Sequence, residues 1–163
     1  MALIRVIGSI DDDAYALFSI AVAEAEDSGE REIDLELCSE GGLECAALAF
    51  IARMRTSRCN FIITVYGHAE SAATLILAYG DMRRMTSESW VTIHESSATL
   101  KKLTTTALEH AVGLQRKMED QWATILASRT ALSKEEWDRM HSGGDRYLTP
   151  QECLTVGLID EII

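Results

Sequence analysis

Short apolar runs with a two-residue period alternate, through roughly the first half of the chain, with longer runs of helical period. That alternation limits the fold more than any other feature. A strand–helix–strand order brings successive strands back in the same direction, so it builds a largely parallel sheet flanked by helices, an α/β fold. Leu3 to Ile7 reads as a strand ending at Gly8. Asp12 or Asp13 can cap a helix on which Ala14, Leu17, Phe18, Ala21, Val22 and Ala25 recur, and Ser28-Gly29 stops it. Ile33, Leu35 and Leu37 alternate with acidic residues as in a strand. The turn Ser39-Glu40-Gly41-Gly42 opens a helix from Leu43 to about Arg55. Phe61 to Tyr66 is a further strand, leading through Gly67-His68-Ala69-Glu70-Ser71 to a small-residue helix, Ala72 to Tyr79, with Gly80 as its stop. Trp90 to His94 is the next strand.

The second half is dominated by one long helix, Thr105 to about Arg129, with Ala107, Ala111, Leu114, Met118, Trp122 and Ile125 on one stripe. A stripe of that length faces either the subunit's own core or another subunit. Ser133-Lys134-Glu135-Glu136 and Thr149-Pro150-Gln151-Glu152 both match a capping box, the second with proline at the first helical position. A short strand, Ile159 to Ile163, closes the chain.

At 163 residues the chain fits a single domain, 1–163. Its 47% hydrophobic content argues against disorder, and one proline with ten glycines leaves little to form a linker. A net charge of −11 repels phosphate backbones, so no nucleic-acid partner is expected. The opening Met-Ala-Leu-Ile-Arg-Val-Ile-Gly lacks a signal-peptide pattern, and no apolar run has membrane-helix length, so a cytoplasmic protein is expected. Cys38, Cys45, Cys59 and Cys153 form no CxxC pair and have no histidine at ligand spacing, which points to buried, reduced thiols rather than zinc. No Gly-x-x-x-x-Gly-Lys-Ser/Thr loop occurs, and no cofactor is expected.

Ser71 follows a strand and opens a helix, a turn that lifts a hydroxyl above the sheet edge and aims backbone N–H groups at what it attacks. Small neighbours, Gly67, Ala69, Ala72 and Ala73, leave room for a substrate chain. A serine capping a helix gives the same local pattern. A serine nucleophile needs a base. Of His68, His94, His110 and His141, His94 ends an apolar strand and can reach Ser71 where parallel strands converge. His110 in the long helix and His141 in a polar turn are most simply surface residues, and His68 lines the cleft at most. A third, orienting carboxylate cannot be chosen by composition among 26 acidic residues; Asp145 is attractive because it follows Gly143-Gly144 and precedes a capped helix. The N–H of Ala72 and the Gly41-Gly42 turn are candidates for an oxyanion hole.

These segments together resemble the ClpP family. Ser39-Glu40-Gly41-Gly42 is similar to its Ser-Pro-Gly-Gly turn, and Gly67-His68-Ala69-Glu70-Ser71 to its Gly-x-Ala-x-Ser motif. Thr92-Ile93-His94-Glu95 resembles its Ile-His-Gln-Pro segment. Asp145-Arg146-Tyr147-Leu148-Thr149, Glu152 and Gly157-Leu158-Ile159-Asp160 resemble its ending. The order is the family's over nearly the whole chain. The resemblance implies a ClpP/crotonase-like α/β fold with a mainly parallel sheet and a long protruding handle helix at about 105–129. It implies a serine endopeptidase with Ser71 as nucleophile, His94 as base, Asp145 as third member, and Gly42 and Ala72 as oxyanion donors. It further implies a homo-oligomer of two stacked rings of seven around a chamber, peptide or unfolded-protein substrates, and an AAA+ unfoldase partner.

The chain departs from the family pattern in several places. The axial-gate segment is expected to be missing before Leu3, and the family's C-terminal tail is expected to be missing after Ile163. Glu40 replaces the turn's proline, Glu70 precedes the serine and Glu95 follows the histidine. Ser96-Ser97-Ala98-Thr99-Leu100-Lys101-Lys102 stands where the family has a glycine-rich segment. Two further readings are a non-catalytic ring subunit and a crotonase-type acyl-CoA enzyme, which shares a backbone oxyanion hole but needs no Ser–His pair.

Overall fold

A computed structural model describes residues 1–95, 102 and 104–163; apart from Lys102, the 96–102 segment lies outside the described residues. The elements run β1 (Ala2–Ile7), α1 (Asp12–Asp27), β2 (Glu32–Ser39), α2 (Glu44–Thr56), β3 (Asn60–Glu70), α3 (Ala72–Ala78), β4 (Met82–Met85), β5 (Trp90–Ile93), α4 (Thr105–Arg129), α5 (Lys134–His141), β6 (Arg146–Leu148), α6 (Pro150–Thr155) and β7 (Glu161–Ile162). Seven strands make one sheet in the order β1-β2-β3-β4-β7, with β5 joined to β3 and β6 to β5. Every pairing is parallel except β5 with β6. This is the mainly parallel α/β architecture, with its long helix, that the alternating periods require.

Strand β2 sits between two parallel neighbours. Its Ile33, Leu35 and Leu37 are fully buried, while the intervening acidic residues lie on the less covered face. Against that apolar face α1 and α2 pack through Phe18 and Phe50, whose rings stack at 4.5 Å. The cap of α1 is Asp11, whose side chain accepts from the Ala14 N–H at 2.9 Å, rather than Asp12 or Asp13. A cap must be extended, and Asp11 is extended while the next two residues are already helical. Leu17 is exposed, so the buried stripe of α1 is narrower than the sequence spacing implies.

The longest strand, β3, runs past the expected end at Tyr66 because it serves two partners in succession. Residues 62–65 pair with β4 and residues 68–70 with β5. Between them the register against β2 shifts, from Leu37↔Val65 to Ser39↔Ala69. Gly67 takes a left-handed φ of 88° at this irregularity. Strands β4 and β6 were not legible in sequence, since Met-Arg-Arg-Met and Arg-Tyr-Leu are short and polar.

Helix α4 has the expected bounds and is capped by the Thr104 hydroxyl. Only its last turns are buried, through Trp122, Ala123 and Leu126. Leu114, on the stripe read from the spacing, faces outward, and the row turned toward the molecule passes through Ala107, Ala111, Gln115, Met118 and Trp122. Both capping boxes form, at Ser133 with Glu136 and at Thr149 with Glu152.

One ion pair ties the end of α1 to α2. Arg53 meets Glu26 at 2.7 Å, and Glu26 also accepts from the Ser57 hydroxyl at 2.7 Å and the Arg58 N–H at 3.0 Å. The Arg53 guanidinium, with these donors, holds the Glu26 carboxyl down from 4.5 to about 2. A carboxylate with a depressed folded pKa contributes stability above its unfolded pKa and loses it on acidification. The expected contribution of about 1–3 kcal/mol therefore disappears as pH falls from 4.5 to about 2. Urea midpoints at pH 6 and pH 2.5 should differ less in Glu26→Gln than in the wild type; equal acid sensitivity would show that the pair contributes nothing.

Candidate active site

The two segments that sequence analysis singled out meet because β3 and β5 are parallel neighbours. The ladder pairs Ala69 with Val91 and Glu70 with Thr92, and the Ser71 N–H then donates to the Thr92 carbonyl at 2.9 Å. Both chains leave the sheet at the same edge, so Ser71 and His94 line one cleft of about 370 Å³.

Ser71 occupies φ 50°, ψ −122°, a left-handed conformation that costs a non-glycine residue about 1–3 kcal/mol. Strain of this kind persists only where the surroundings enforce it. Here its N–H is tied to β5 and its carbonyl to the Thr74 N–H, at 3.0 Å. No side-chain capping bond is made by Ser71 to α3, so its hydroxyl is not spent as a helix cap.

The Gly-Gly turn lies directly against this serine. A Cβ on Gly41 would stand 2.5 Å from the Glu70 carbonyl oxygen and 2.8 Å from the Ser71 Cβ. The turn is held by Ile10, whose N–H donates to the Gly41 carbonyl at 2.8 Å and whose carbonyl accepts from the Leu43 N–H at 2.7 Å. The buried Ser39 hydroxyl accepts from the Gly41 N–H at 3.0 Å. The Gly42 N–H takes no part in these bonds, and Gly42 and Ala72 both line the cleft.

His94 Nδ1 lies 2.8 Å from the carbonyl oxygen of Glu95. A carbonyl only accepts, so Nδ1 carries the proton and Nε2 keeps its lone pair, the tautomer a general base needs. Asp145 is exposed and makes no hydrogen bond to His94 among the described residues. Its backbone position is nonetheless adjacent. In the antiparallel β5–β6 ladder Ile93 faces Arg146, and one further step in that register sets His94 opposite Asp145.

The other histidines divide. His110 is exposed on α4, as expected. His68 does not line the cleft; it stacks on Trp90 with ring centroids 5.4 Å apart, its Nδ1 3.8 Å from Cys38 Sγ. His141 is not a surface residue. It is only 7% exposed, packs on Trp122 at 4.6 Å, and lines the cleft with His94. Burial pushes the His141 pKa down, so the imidazole is neutral near pH 7. A sequence gives no hint of this, because the end of a short polar helix looks solvated until α4 is folded over it.

The acidic neighbours divide as well. Glu70 turns away from the cleft and accepts from Trp90 Nε1 at 3.1 Å. Glu40 accepts from the Ser9 hydroxyl at 2.7 Å, which holds its carboxyl below the ordinary range. Glu44, at the first turn of α2, lines the cleft with its pKa raised by burial and by the charge of Glu119. Cys59 and Cys153 are buried, but Cys45 is exposed at the cleft and Cys38 half-buried, which corrects the expectation of four buried thiols. All four are free, and no three potential metal ligands converge among the described residues.

The mainly parallel sheet with its long α4 is the architecture of the ClpP-like fold class. A model of the Clp protease family matches residues 2–163, and the chain belongs to that family. It is similar to the ATP-dependent Clp protease proteolytic subunit 1 of Corynebacterium glutamicum, with 29% identity over 161 residues, covering 96% of this chain and 76% of that protein. No helix among the described residues is long and apolar enough to cross a membrane.

Proposed function

We propose that the chain, as one domain spanning 1–163, is a serine endopeptidase that cleaves peptides and unfolded polypeptides. The observation that carries this reading is the strained Ser71 in a shared cleft with His94, against a turn that only glycine can form. In the proposed reaction His94 Nε2 takes the hydroxyl proton as Ser71 Oγ attacks the peptide carbonyl. The N–H groups of Gly42 and Ala72 stabilise the resulting oxyanion. Protonated His94 then gives its proton to the leaving amine, and water, deprotonated by the same imidazole, releases the acyl group from Ser71. The Glu95 carbonyl fixes the histidine tautomer, and Asp145, one register step from it, offsets the imidazolium charge. Formation of a covalent Ser71 adduct with a fluorophosphonate, absent in Ser71→Ala, is the test. It separates this reading from a non-catalytic subunit and from an acyl-CoA enzyme, neither of which needs an activated serine.

The proposed working state is a homo-oligomeric ring, stacked in two sevens around a chamber in the cytoplasm, with an AAA+ unfoldase as the supplier of folded substrates. Support comes from α4. Leu108 and Val112, on one face of α4, are 46% and 43% exposed, and Leu114 on another face is 60% exposed, apolar side chains that solvent disfavours. Sedimentation at micromolar concentration should show a species several times the 18.0 kDa chain mass. A monomer alone would refute the assembly.

A further inference from the structure

Two carboxylates, Glu40 and Glu44, and two imidazoles, His94 and His141, are among the side chains lining the cleft beside Ser71. Glu44 projects from the first turn of α2, with Gln115 and Trp122 from α4 across from it. His141 closes the far side; it is 7% exposed, makes no hydrogen bond to any described residue, and burial keeps it neutral, so one ring nitrogen offers a lone pair. Glu119, the neighbour of Met118 on the cleft-lining row, adds a second carboxylate charge close enough to raise the Glu44 pKa. Among the described residues, neither Glu44 nor Glu119 has an ion-pair partner and no lysine or arginine lines the cleft.

A carboxylate drawn partly out of water, with no cation among the described residues to offset it, favours any ligand that brings one. The His141 imidazole, which lines the same cleft, adds an acceptor for a ligand with N–H donors to spare. Lysine and arginine side chains supply both, whereas an apolar side chain would leave the Glu44 carboxylate further desolvated and without a counter-charge. On the peptidase reading, we propose that this cleft is a subsite for a cationic substrate side chain, with Glu44 as the specificity-determining residue. The chain then cuts beside lysine or arginine in preference to leucine.

The test is competition for fluorophosphonate labelling of the assembled protein, which needs no turnover. A peptidyl-argininal and a peptidyl-leucinal of otherwise identical sequence compete against the probe, with matched arginine and leucine fluorogenic peptides as a second readout. We expect the arginine aldehyde to protect at least about tenfold better, an increment typical of one charged contact. In Glu44→Gln, which keeps the shape, that ratio should fall toward one, and in Glu44→Lys it should invert. Thermal melts establish that each variant is folded. Equal protection by the two aldehydes in the wild type, or a ratio unchanged in folded Glu44→Gln, would overturn the subsite while leaving the peptidase standing. No labelling of wild-type Ser71 at all would overturn the peptidase and the subsite with it.

Discussion

Ser71→Ala should lower peptide hydrolysis by at least about 10⁴-fold, since removing the nucleophile of a serine–histidine unit leaves only binding and oxyanion stabilisation. The fold should survive. Ser71 gives no side-chain cap to α3, and its structural bonds run through backbone atoms that alanine retains. Alanine also keeps the strained left-handed φ of 50°. Ser71→Gly separates strain from chemistry. It should be equally inactive yet up to about 1 kcal/mol more stable, because glycine adopts that conformation without steric cost. For a chain of this size such a gain raises Tm by roughly 2–4 °C. Hydrolysis assays and thermal melts on the three proteins check both halves. Wild-type turnover in Ser71→Ala would end the serine-peptidase reading, and a lower melting point for Ser71→Gly would show that the turn is not strained.

Gly41→Ala should unfold or inactivate the protein far more severely than its size suggests. The added Cβ meets the Glu70 carbonyl oxygen at 2.5 Å, the Ser71 Cβ at 2.8 Å and the Ala72 nitrogen at 3.1 Å, atoms of the site's own frame that cannot swing aside. The residue must also hold a φ of 87°. Strain and overpacking together give about 3 kcal/mol or more, a fall in Tm of roughly 6–12 °C. If the turn instead moves to relieve the clash, the neighbouring Gly42 N–H shifts and probe labelling of Ser71 falls. Gly8→Ala is the control. It has a similar φ of 85° but nothing within 4 Å of the added carbon, so it tests the conformational cost alone, about 1 kcal/mol. Equal effects of the two substitutions would mean that the contact between the glycine turn and Ser71 contributes nothing.

How legible the molecule was depended on the range of the interactions involved. Period and caps are local properties, so the strand of Ile33, Leu35 and Leu37, the bounds of α4 and both capping boxes could be read from the chain alone. The same holds for the pairing of Ser71 with His94 in one cleft. A strand–helix turn and an apolar strand end are local signals, and parallel strands bring their ends to one edge. What sequence could not supply was the surroundings. The polar strand β6 forms against the edge of β5, and extending that register by one step carries the Asp145 backbone opposite His94. His141 looked solvated because its burial comes from Trp122 on another helix, and the facing of Leu114 stayed open because spacing fixes a stripe but not the turn at which a helix leaves the core. Glu44 was one acidic residue among 26 until α4 closed the cleft over it. The backbone plan, together with the meeting of Ser71 and His94 at one sheet edge, was thus determined by short-range pattern in the sequence. Tertiary packing decided which charges lose their water, and with them the character of the cleft, because desolvation depends on neighbours that are distant in the chain.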